Sequence, residues 1–283
     1  AAHVAGAARN VHAVYRNEDV ISSMSKCEAH DGMRLQAAMQ GSTSSPATTS
    51  ATTSSASAAC GTGLCTAEIA CDADVEYYLA YGSVSAVEDR INAVINGLNL
   101  EYERDVAIRH VISTIIVRIA EPDPYSATDA QTLLTQFRNQ WLNNHTNVQR
   151  DMAELFTGKN LDGSTIGIGW IGAVCGSYSY TVVQADCCGS LACATDLSAH
   201  ELGHNWNAGH CDCAGTTNWT MNPYITCANQ FHPTYSIPVI TTFRDSRTCL
   251  SAGSGCTANV DCDDGNPCTT DTCTTGTCFN TNN

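Results

Sequence analysis

Apolar residues recur along residues 60–251 with the two spacings that distinguish helices from strands. In residues 84–101 and 127–143 they return at every third or fourth position, which places them on one face of an amphipathic helix. Residues 108–120 are rich in valine and isoleucine, whose branched side chains favour strands. The succession of such segments predicts a mixed α/β domain built on a sheet.

Shorter apolar runs predict the remaining elements of this domain. Residues 75–80 predict the opening strand, and residues 166–174 and 178–184 predict two short strands around a turn. Helices are predicted for residues 195–207 and, close to the end of the domain, for residues 237–243.

Composition divides the chain into four parts. Residues 1–40 form a mixed N-terminal segment. Residues 41–59 are almost wholly serine, threonine and alanine, a composition that cannot bury a core and predicts an extended linker. Residues 60–251 carry the periodic patterns of a folded domain, and residues 252–283 form a short tail rich in cysteine and threonine.

The charge and hydropathy of the chain limit the partners that it can have. It carries 28 acidic and 13 basic residues, a formal net charge of −15 at pH 7. Such a charge repels nucleic acid and anionic membrane surfaces, so neither is an expected partner. The most apolar stretch, residues 111–120, contains Arg118 and is too short to cross a bilayer, so we expect no membrane span.

The chain contains 17 cysteines, and those of the tail do not form the paired CxxC knuckles of a metal site. This number predicts disulfide bonds made in an oxidising compartment, and therefore a secreted, extracellular protein whose signal peptide was removed before residue 1. The triplets that begin at Asn144 and Asn218 match the N-glycosylation pattern of a eukaryotic secretory route.

The sequence His200-Glu-Leu-Gly-His204 predicts a metal site on the helix of residues 195–207. Residues four apart lie on the same helix face, so the two histidines can bind one zinc ion while Glu201 reaches a zinc-bound water as general base. His210 lies too far along for the same helix, so the chain must turn back to deliver it as third ligand. Three neutral histidines leave the fourth zinc position open, which is the mark of a catalytic site.

The stretch from His200 to His210, HELGHNWNAGH, resembles the zinc motif HExxHxxGxxH of the metzincin endopeptidases. Met221-Asn-Pro resembles their Met-turn, a methionine packed beneath the zinc histidines. Residues 161–175 (LDGSTIGIGWIGAVC) resemble the strand before the zinc helix in the adamalysin/reprolysin group, which includes snake-venom metalloproteinases and ADAM proteases. Residues 180–184 (YTVVQ) resemble the edge-strand region of that group.

The resemblance covers roughly residues 72–251 and implies a metzincin fold, with a twisted mixed sheet, an active-site helix and a Met-turn. It also implies a disulfide between Cys175 and Cys249. The glycine that the family has at the turn is Asn207 in this chain. Because asparagine tolerates positive φ better than other non-glycine residues, we expect Asn207 to preserve the turn.

Two further expectations come from the same resemblance. Glu76, in the predicted first strand, and Asp151 match acidic positions that bind calcium in some family members, and the alternative is a pair of surface carboxylates. Cys211 stands where the family usually has aspartate, and we expect it to add a disulfide nearby, with Cys213 and Cys227 as candidates.

The two ends of the chain suggest regulation and assembly. Many metzincin zymogens use an upstream cysteine as an inhibitory fourth zinc ligand, and Cys27 is the candidate for that role, with Asp31 a further one. The alternative is a disulfide between Cys27 and one of three nearby cysteines, namely Cys60, Cys65 and Cys71. The tail resembles short extracellular repeats of the pattern CTxDxC, which suggests attachment to an extracellular matrix or surface assembly.

Together these features predict a secreted zinc metalloendopeptidase that hydrolyses protein or peptide substrates. Two alternatives stay open. One is a protease-like structural or adhesive glycoprotein of an extracellular assembly. The other is a latent zymogen, in which a propeptide-like segment at residues 1–40 covers the zinc.

Overall fold

A twisted mixed sheet forms the centre of the fold in the computed structural model. Its strands stand in the order β1 (Lys26–Ala29), β5 (Thr165–Gly169), β6 (Tyr180–Gln184), β4 (Met152–Thr157), β2 (Cys65–Ala73) and β3 (Ile108–Val117). The structure describes residues 26–29, 60, 63–185, 190–211, 213, 215, 217–252, 259, 269–274 and 277–282.

Strand direction distinguishes one side of the sheet from the other. Strands β3, β2, β4 and β6 run parallel to one another, whereas β5 is antiparallel to β6. Strand β1 pairs with β5 in parallel, and the short strand β7 (Ser251–Ala252) pairs antiparallel with the start of β2. In the tail, β8 (Thr269–Thr274) and β9 (Thr277–Asn282) form a separate antiparallel hairpin.

Helices cover both faces of the sheet because its strands alternate apolar side chains between the two faces. One face packs against α2 (Val84–Val106) and α4 (Leu191–Asn205), and the other packs against α3 (Ala130–Asn144). In β4, for example, Phe156 belongs to the first core and Leu155 to the second. The prediction of a mixed α/β fold is confirmed.

The predicted opening strand at residues 75–80 is wrong. These residues form the helix α1 (Val75–Tyr81), and the strand precedes them as β2. The side chain of Asp74 caps the helix by accepting a hydrogen bond from the backbone N–H of Tyr77, and Gly82 ends it in the left-handed conformation with φ of 79°. These capping residues outweigh the apolar run that suggested a strand.

Two other expectations change in detail. The resemblance places residues 180–184 in the edge-strand region, but β6 lies inside the sheet between β4 and β5. The strand predicted at residues 166–174 ends at Gly169, and Gly172 then turns the chain with φ of 67°. The helix predicted at residues 237–243 is α5 (Ile237–Asp245).

Within the described residues, no helix combines the length and the apolar character that crossing a membrane requires.

Candidate metal centre

Helix α4 places His200 and His204 on one face, with their Nε2 atoms 3.0 Å apart. The helix ends after Asn205, and Asn207 then adopts φ of 75°, the left-handed conformation expected at this turn. The turn brings His210 back, with its Nε2 atom 3.2 Å from that of His200. One exposed and two buried imidazoles therefore converge on one point.

Backbone carbonyls fix the tautomers of the two helical histidines. Nδ1 of His200 lies 2.6 Å from the carbonyl oxygen of Thr220, and Nδ1 of His204 lies 2.8 Å from that of Ala208. Because a carbonyl can only accept a hydrogen bond, both Nδ1 atoms carry the proton. Each Nε2 therefore directs a lone pair at the point where the three rings meet.

This cluster fits a zinc ion by its donor set and by its spacing. Tetrahedral zinc about 2.0–2.1 Å from each nitrogen separates its ligands by ~3.3 Å, close to the observed 3.0 and 3.2 Å. Burial and the neighbouring imidazoles hold the pKa of His200 well below its usual value, and burial lowers that of His204 to about 3. The two helical rings are therefore neutral, and their facing Nε2 lone pairs call for a cation between them.

Glu201 lies beside the histidines and is fully buried. Its two carboxylate oxygens have no hydrogen-bond partner within the described part of the chain. Burial raises the pKa of Glu201 well above its usual value, and the nearby charge of Glu154 adds to the effect. A buried carboxyl group without protein partners has the free hydrogen-bonding capacity that a general base needs.

Two glycines of β5 make room for Glu201. A side chain at Gly167 would collide with the Glu201 carboxylate, and a Cβ at Gly169 would lie 2.8 Å from the Glu201 carbonyl oxygen. The sequence reasoning missed both positions. The sequence does contain a signal for them, because two glycines two residues apart in a strand lie on the same face and indicate close approach of a neighbouring element.

Met221 packs directly beneath α4 and is completely buried. Its Sδ atom occupies the space next to Gly203, where an added Cβ would lie 2.5 Å away. Gly203 is the glycine inside the HELGH sequence. The helix therefore needs glycine between the metal-facing histidines because the methionine fills the volume of a side chain there.

Disulfide bonds tie the surroundings of the histidines together. Cys175 is bonded to Cys249, the pair that the family resemblance implied. Cys211 is bonded to Cys213, two residues away. A further bond links Cys193, in the first turn of α4, to Cys227 in the segment after Met221.

The structure does not bring the two predicted calcium ligands together, because Glu76 and Asp151 lie at opposite ends of β4. Glu76 is in the first turn of α1, where it forms an ion pair with Lys159. Asp151 accepts a hydrogen bond of 2.8 Å from the backbone N–H of Glu68 in β2. The acidic residues near Glu76 are Glu121 and Asp123, whereas Glu68 is the acidic residue of β2 beside Asp151.

Cys27 lies in β1, and none of its three predicted disulfide partners is bonded to it. Cys60 is bonded to Cys65, and Cys71 carries a free, buried thiol. A disulfide from Cys27 to any of the three is therefore wrong. Asp31, the other candidate for an inhibitory role, lies outside the described residues.

The two asparagines of the predicted glycosylation triplets are both exposed. Asn144 is the last residue of α3, and Asn218 lies in the segment before Met221. Their exposure leaves room for a glycan, and their modification stays a prediction.

Comparisons with known proteins agree with this geometry. The reprolysin model of metallo-peptidase family M12 matches residues 64–276. A zinc metalloproteinase/disintegrin of Bitis gabonica is 28% identical over 152 residues, which cover 51% of this chain and 45% of that protein. A zinc metalloproteinase-disintegrin-like protein of Cerberus rynchops is 24% identical over 231 residues, which cover 72% of this chain and 37% of that protein.

The chain thus spans less than half the length of these two relatives. A chain of the solved structure described as "Structure of a chaperone-substrate complex" is similar in fold alone. It has a TM-score of 0.50 and 18% identity, and the match covers 64% of this chain and 34% of that one. Since the family model spans most of the sequence, the protein belongs to metallo-peptidase family M12 and contains a reprolysin-like metalloprotease domain.

Proposed function

We propose that this protein is a zinc-dependent endopeptidase in which Glu201 acts as the general base. The observation that carries the proposal is the convergence of three imidazole Nε2 atoms beside a buried carboxyl group without protein partners. His200, His204 and His210 would hold the ion. When bound, zinc supplies a Lewis acid that polarises a peptide carbonyl and promotes ionisation of water.

The residues of this chain supply the remaining chemistry. Glu201 takes a proton from the attacking water and passes it to the leaving amine, which requires no covalent intermediate. The Thr220 and Ala208 carbonyls keep the helical histidines in the tautomer that exposes Nε2. Exposed His210 marks the side from which solvent and substrate approach.

The decisive experiment compares Glu201→Gln with the unchanged chain. We expect both proteins to bind about one zinc per chain, because the three histidines are intact, and the variant to cleave peptides ~10²–10⁴-fold more slowly. Glu88→Gln, which changes an exposed glutamate of α2, is the matched control. A zinc-loaded chain that cleaves nothing in a broad peptide library, even after its N-terminal segment is cut away, would favour the structural or adhesive glycoprotein.

We further propose that the isolated chain is latent. Strand β1 pairs with β5, the strand whose Gly167 lies against Glu201. An extended peptide can bind a protein by pairing as an added strand with an exposed sheet edge. In this chain β1 pairs with the edge of β5 that such a peptide would need. Cys27 lies in this strand between Lys26, which pairs with Thr165, and Glu28, which pairs with Ile168.

Latency is tested by cutting the folded chain. A protease recognition sequence placed within residues 41–59 would allow cleavage after purification, and we expect peptide hydrolysis to rise at least about tenfold on release of the N-terminal segment. Cys27→Ser separates a role of the thiol from a role of the strand. Equal activity before and after complete cleavage would show that β1 does not compete with substrate.

Secretion and calcium binding are narrower proposals. The disulfides found among the described residues support maturation in an oxidising compartment. Calcium binding by Glu76 can be tested together with Glu121 and Asp123, whose carboxylate oxygens lie within 4.8 Å of one another and of Glu76, and calcium binding by Asp151 is tested separately. The proposal does not extend to an extracellular assembly built through the tail, because neither the relatives described above nor the tail hairpin supports one.

A further inference from the structure

Two buried carboxyl groups meet the hydroxyl of Thr220, one residue before Met221. Oε1 of Glu101, from α2, lies 2.7 Å from Thr220 Oγ1. Oδ1 of Asp196, from α4, lies 2.8 Å from the same atom. Glu101 is 1% exposed and Asp196 is 0% exposed, so neither carboxyl group is solvated. Acidic residues are rarely buried without a structural or functional requirement.

The hydrogen bonds around this hydroxyl require one proton on the two carboxyl groups. A hydroxyl group donates one hydrogen bond and accepts two. Thr220 Oγ1 already accepts a bond of 3.0 Å from the backbone N–H of Gln230. It can therefore donate to one carboxyl oxygen and must accept from the other, which has to carry a proton.

The position of that proton follows from a second contact. Asp196 Oδ1 also accepts a hydrogen bond of 3.0 Å from the backbone N–H of Asn229, so this oxygen is an acceptor. Glu101 is then the protonated partner, and the chain of donors runs from Glu101 to Thr220 and on to Asp196. Burial raises the pKa of Glu101 well above its usual value, and the charge of Asp196 raises it further.

The same threonine is held on all of its polar atoms. Its backbone N–H donates to the carbonyl of Gln230 over 2.9 Å. Its carbonyl oxygen is the acceptor for Nδ1 of His200, at 2.6 Å. The hydroxyl contacts with Glu101 and Asp196 therefore fix the residue whose carbonyl orients a candidate metal ligand.

We propose that Glu101, Thr220 and Asp196 form a proton-sharing clamp that positions His200 for metal binding. The three are positioning residues, since they act on His200 through the backbone carbonyl of Thr220. Glu101 belongs to α2, Asp196 to α4 and Thr220 to the segment before Met221. The clamp therefore couples the packing of two helices to the orientation of the His200 imidazole. The inference rests on the proposed function in that His200 is taken to be a zinc ligand.

The clamp is tested by zinc affinity, measured on the full chain by competition with a chromophoric chelator. Thr220→Val keeps the shape of the side chain but removes the hydroxyl, so we expect zinc affinity to fall ~10–100-fold. Thr220→Ser restores the hydroxyl and should recover most of that affinity. Thr226→Val is the matched control, because the Thr226 hydroxyl donates to the Trp219 carbonyl, at 3.3 Å, and not to a buried acid among the described residues.

The two acids give a second, independent comparison. Glu101→Gln places an amide donor where the protonated carboxyl stood and should act as a conservative replacement, whereas Glu101→Leu removes the donor and should weaken zinc binding ~10-fold or more. Asp196→Asn removes the buried charge and should weaken it as well. If Thr220→Val does not fold, the zinc affinities of the Glu101 and Asp196 variants still test the clamp. Equal zinc affinity in Glu101→Gln and Glu101→Leu would overturn the proposal, as would a Thr220→Val protein that binds zinc normally.

A readout without metal separates this proposal from the proposed function. The tautomer of His200 can be followed by ¹⁵N NMR in the metal-free chain, where Nδ1 should be protonated and should lose that preference in Thr220→Val. A wild-type chain that binds no zinc at the three histidines would refute the proposed function. A His200 tautomer that is unchanged in Thr220→Val would refute the clamp.

Discussion

Replacement of Gly203 by alanine tests whether Met221 packs against the metal-binding helix as tightly as the structure indicates. The new Cβ would lie 2.5 Å from Met221 Sδ and 3.3 Å from Met221 Cε, and both distances are shorter than ordinary van der Waals contact. Met221 cannot retreat easily, because it is fully buried and Phe231 lies on the same side, 3.6 Å from the added Cβ. We therefore expect a collision within the core.

Two effects of opposite sign determine the size of the change. Overpacking of this kind costs about 1–3 kcal/mol. Alanine in place of glycine inside a helix stabilises by about 1 kcal/mol. Gly203→Ala should thus lower the free energy of unfolding by up to about 2 kcal/mol in the unchanged chain. In a Met221→Ala background the collision is absent, and the same change should raise it by about 1 kcal/mol.

The assay is urea unfolding of the four proteins of this double-mutant cycle, all in the metal-free state. The cycle isolates the coupling between the two positions, which we expect to be about 1–3 kcal/mol. The most specific expectation is that Gly203→Ala lowers the free energy of unfolding when Met221 is present and raises it when Met221 is alanine. If Gly203→Ala has the same effect on stability in both backgrounds, the methionine does not fill the space beside the glycine and the reasoning is wrong.

Three further predictions concern the turn, a buried acid and the metal. Asn207→Gly should leave stability nearly unchanged, whereas Asn207→Ala should cost about 1–2 kcal/mol at its φ of 75°, as measured by thermal unfolding. Burial raises the pKa of Glu154 to about 8, so the folded chain holds a proton that the unfolded chain releases above about pH 4.5. The stability that this proton contributes is full below about pH 4.5 and is lost as the pH rises to about 8. Glu154→Gln should remove that loss, about 1.4 kcal/mol per pH unit within this window, and an unchanged pH slope in the variant would contradict it. Removal of zinc by a chelator should lower the melting temperature, since a ligand at 1,000 times its Kd stabilises by about 4 kcal/mol; a melting temperature independent of zinc would argue against the site.

The sequence predicts the metal cluster well because its determinants are local. Two histidines four residues apart on a helix must share a face, and the left-handed preference of asparagine is a property of Asn207 itself. Long periodic segments such as α2 and α3 are predictable for the same reason, since their apolar spacing is a local pattern. The strand prediction for residues 75–80 is wrong because two capping residues, Asp74 and Gly82, decide the conformation of this short apolar run.

Contacts between distant segments could not be read from the chain. Glu101 lies on the apolar face of α2, and the sequence around it does not predict its contact with Thr220, which is 119 residues away. The separation of Glu76 from Asp151 likewise depends on the tertiary fold, since Glu76 lies in α1 and Asp151 immediately before β4. Pairing of β1 with β5 likewise joins parts of the chain that lie on either side of the predicted linker at residues 41–59.

The disulfide between Cys193 and Cys227 has a consequence for the unfolded chain. It closes a covalent ring, with a sequence separation of 34, that contains all three histidines and Met221. Thr220 and His200 are 20 residues apart in sequence, and in the unfolded chain the disulfide gives them a second, shorter covalent connection. The oxidised chain should therefore lose less conformational entropy than the reduced chain when the Thr220 carbonyl meets the His200 imidazole during refolding.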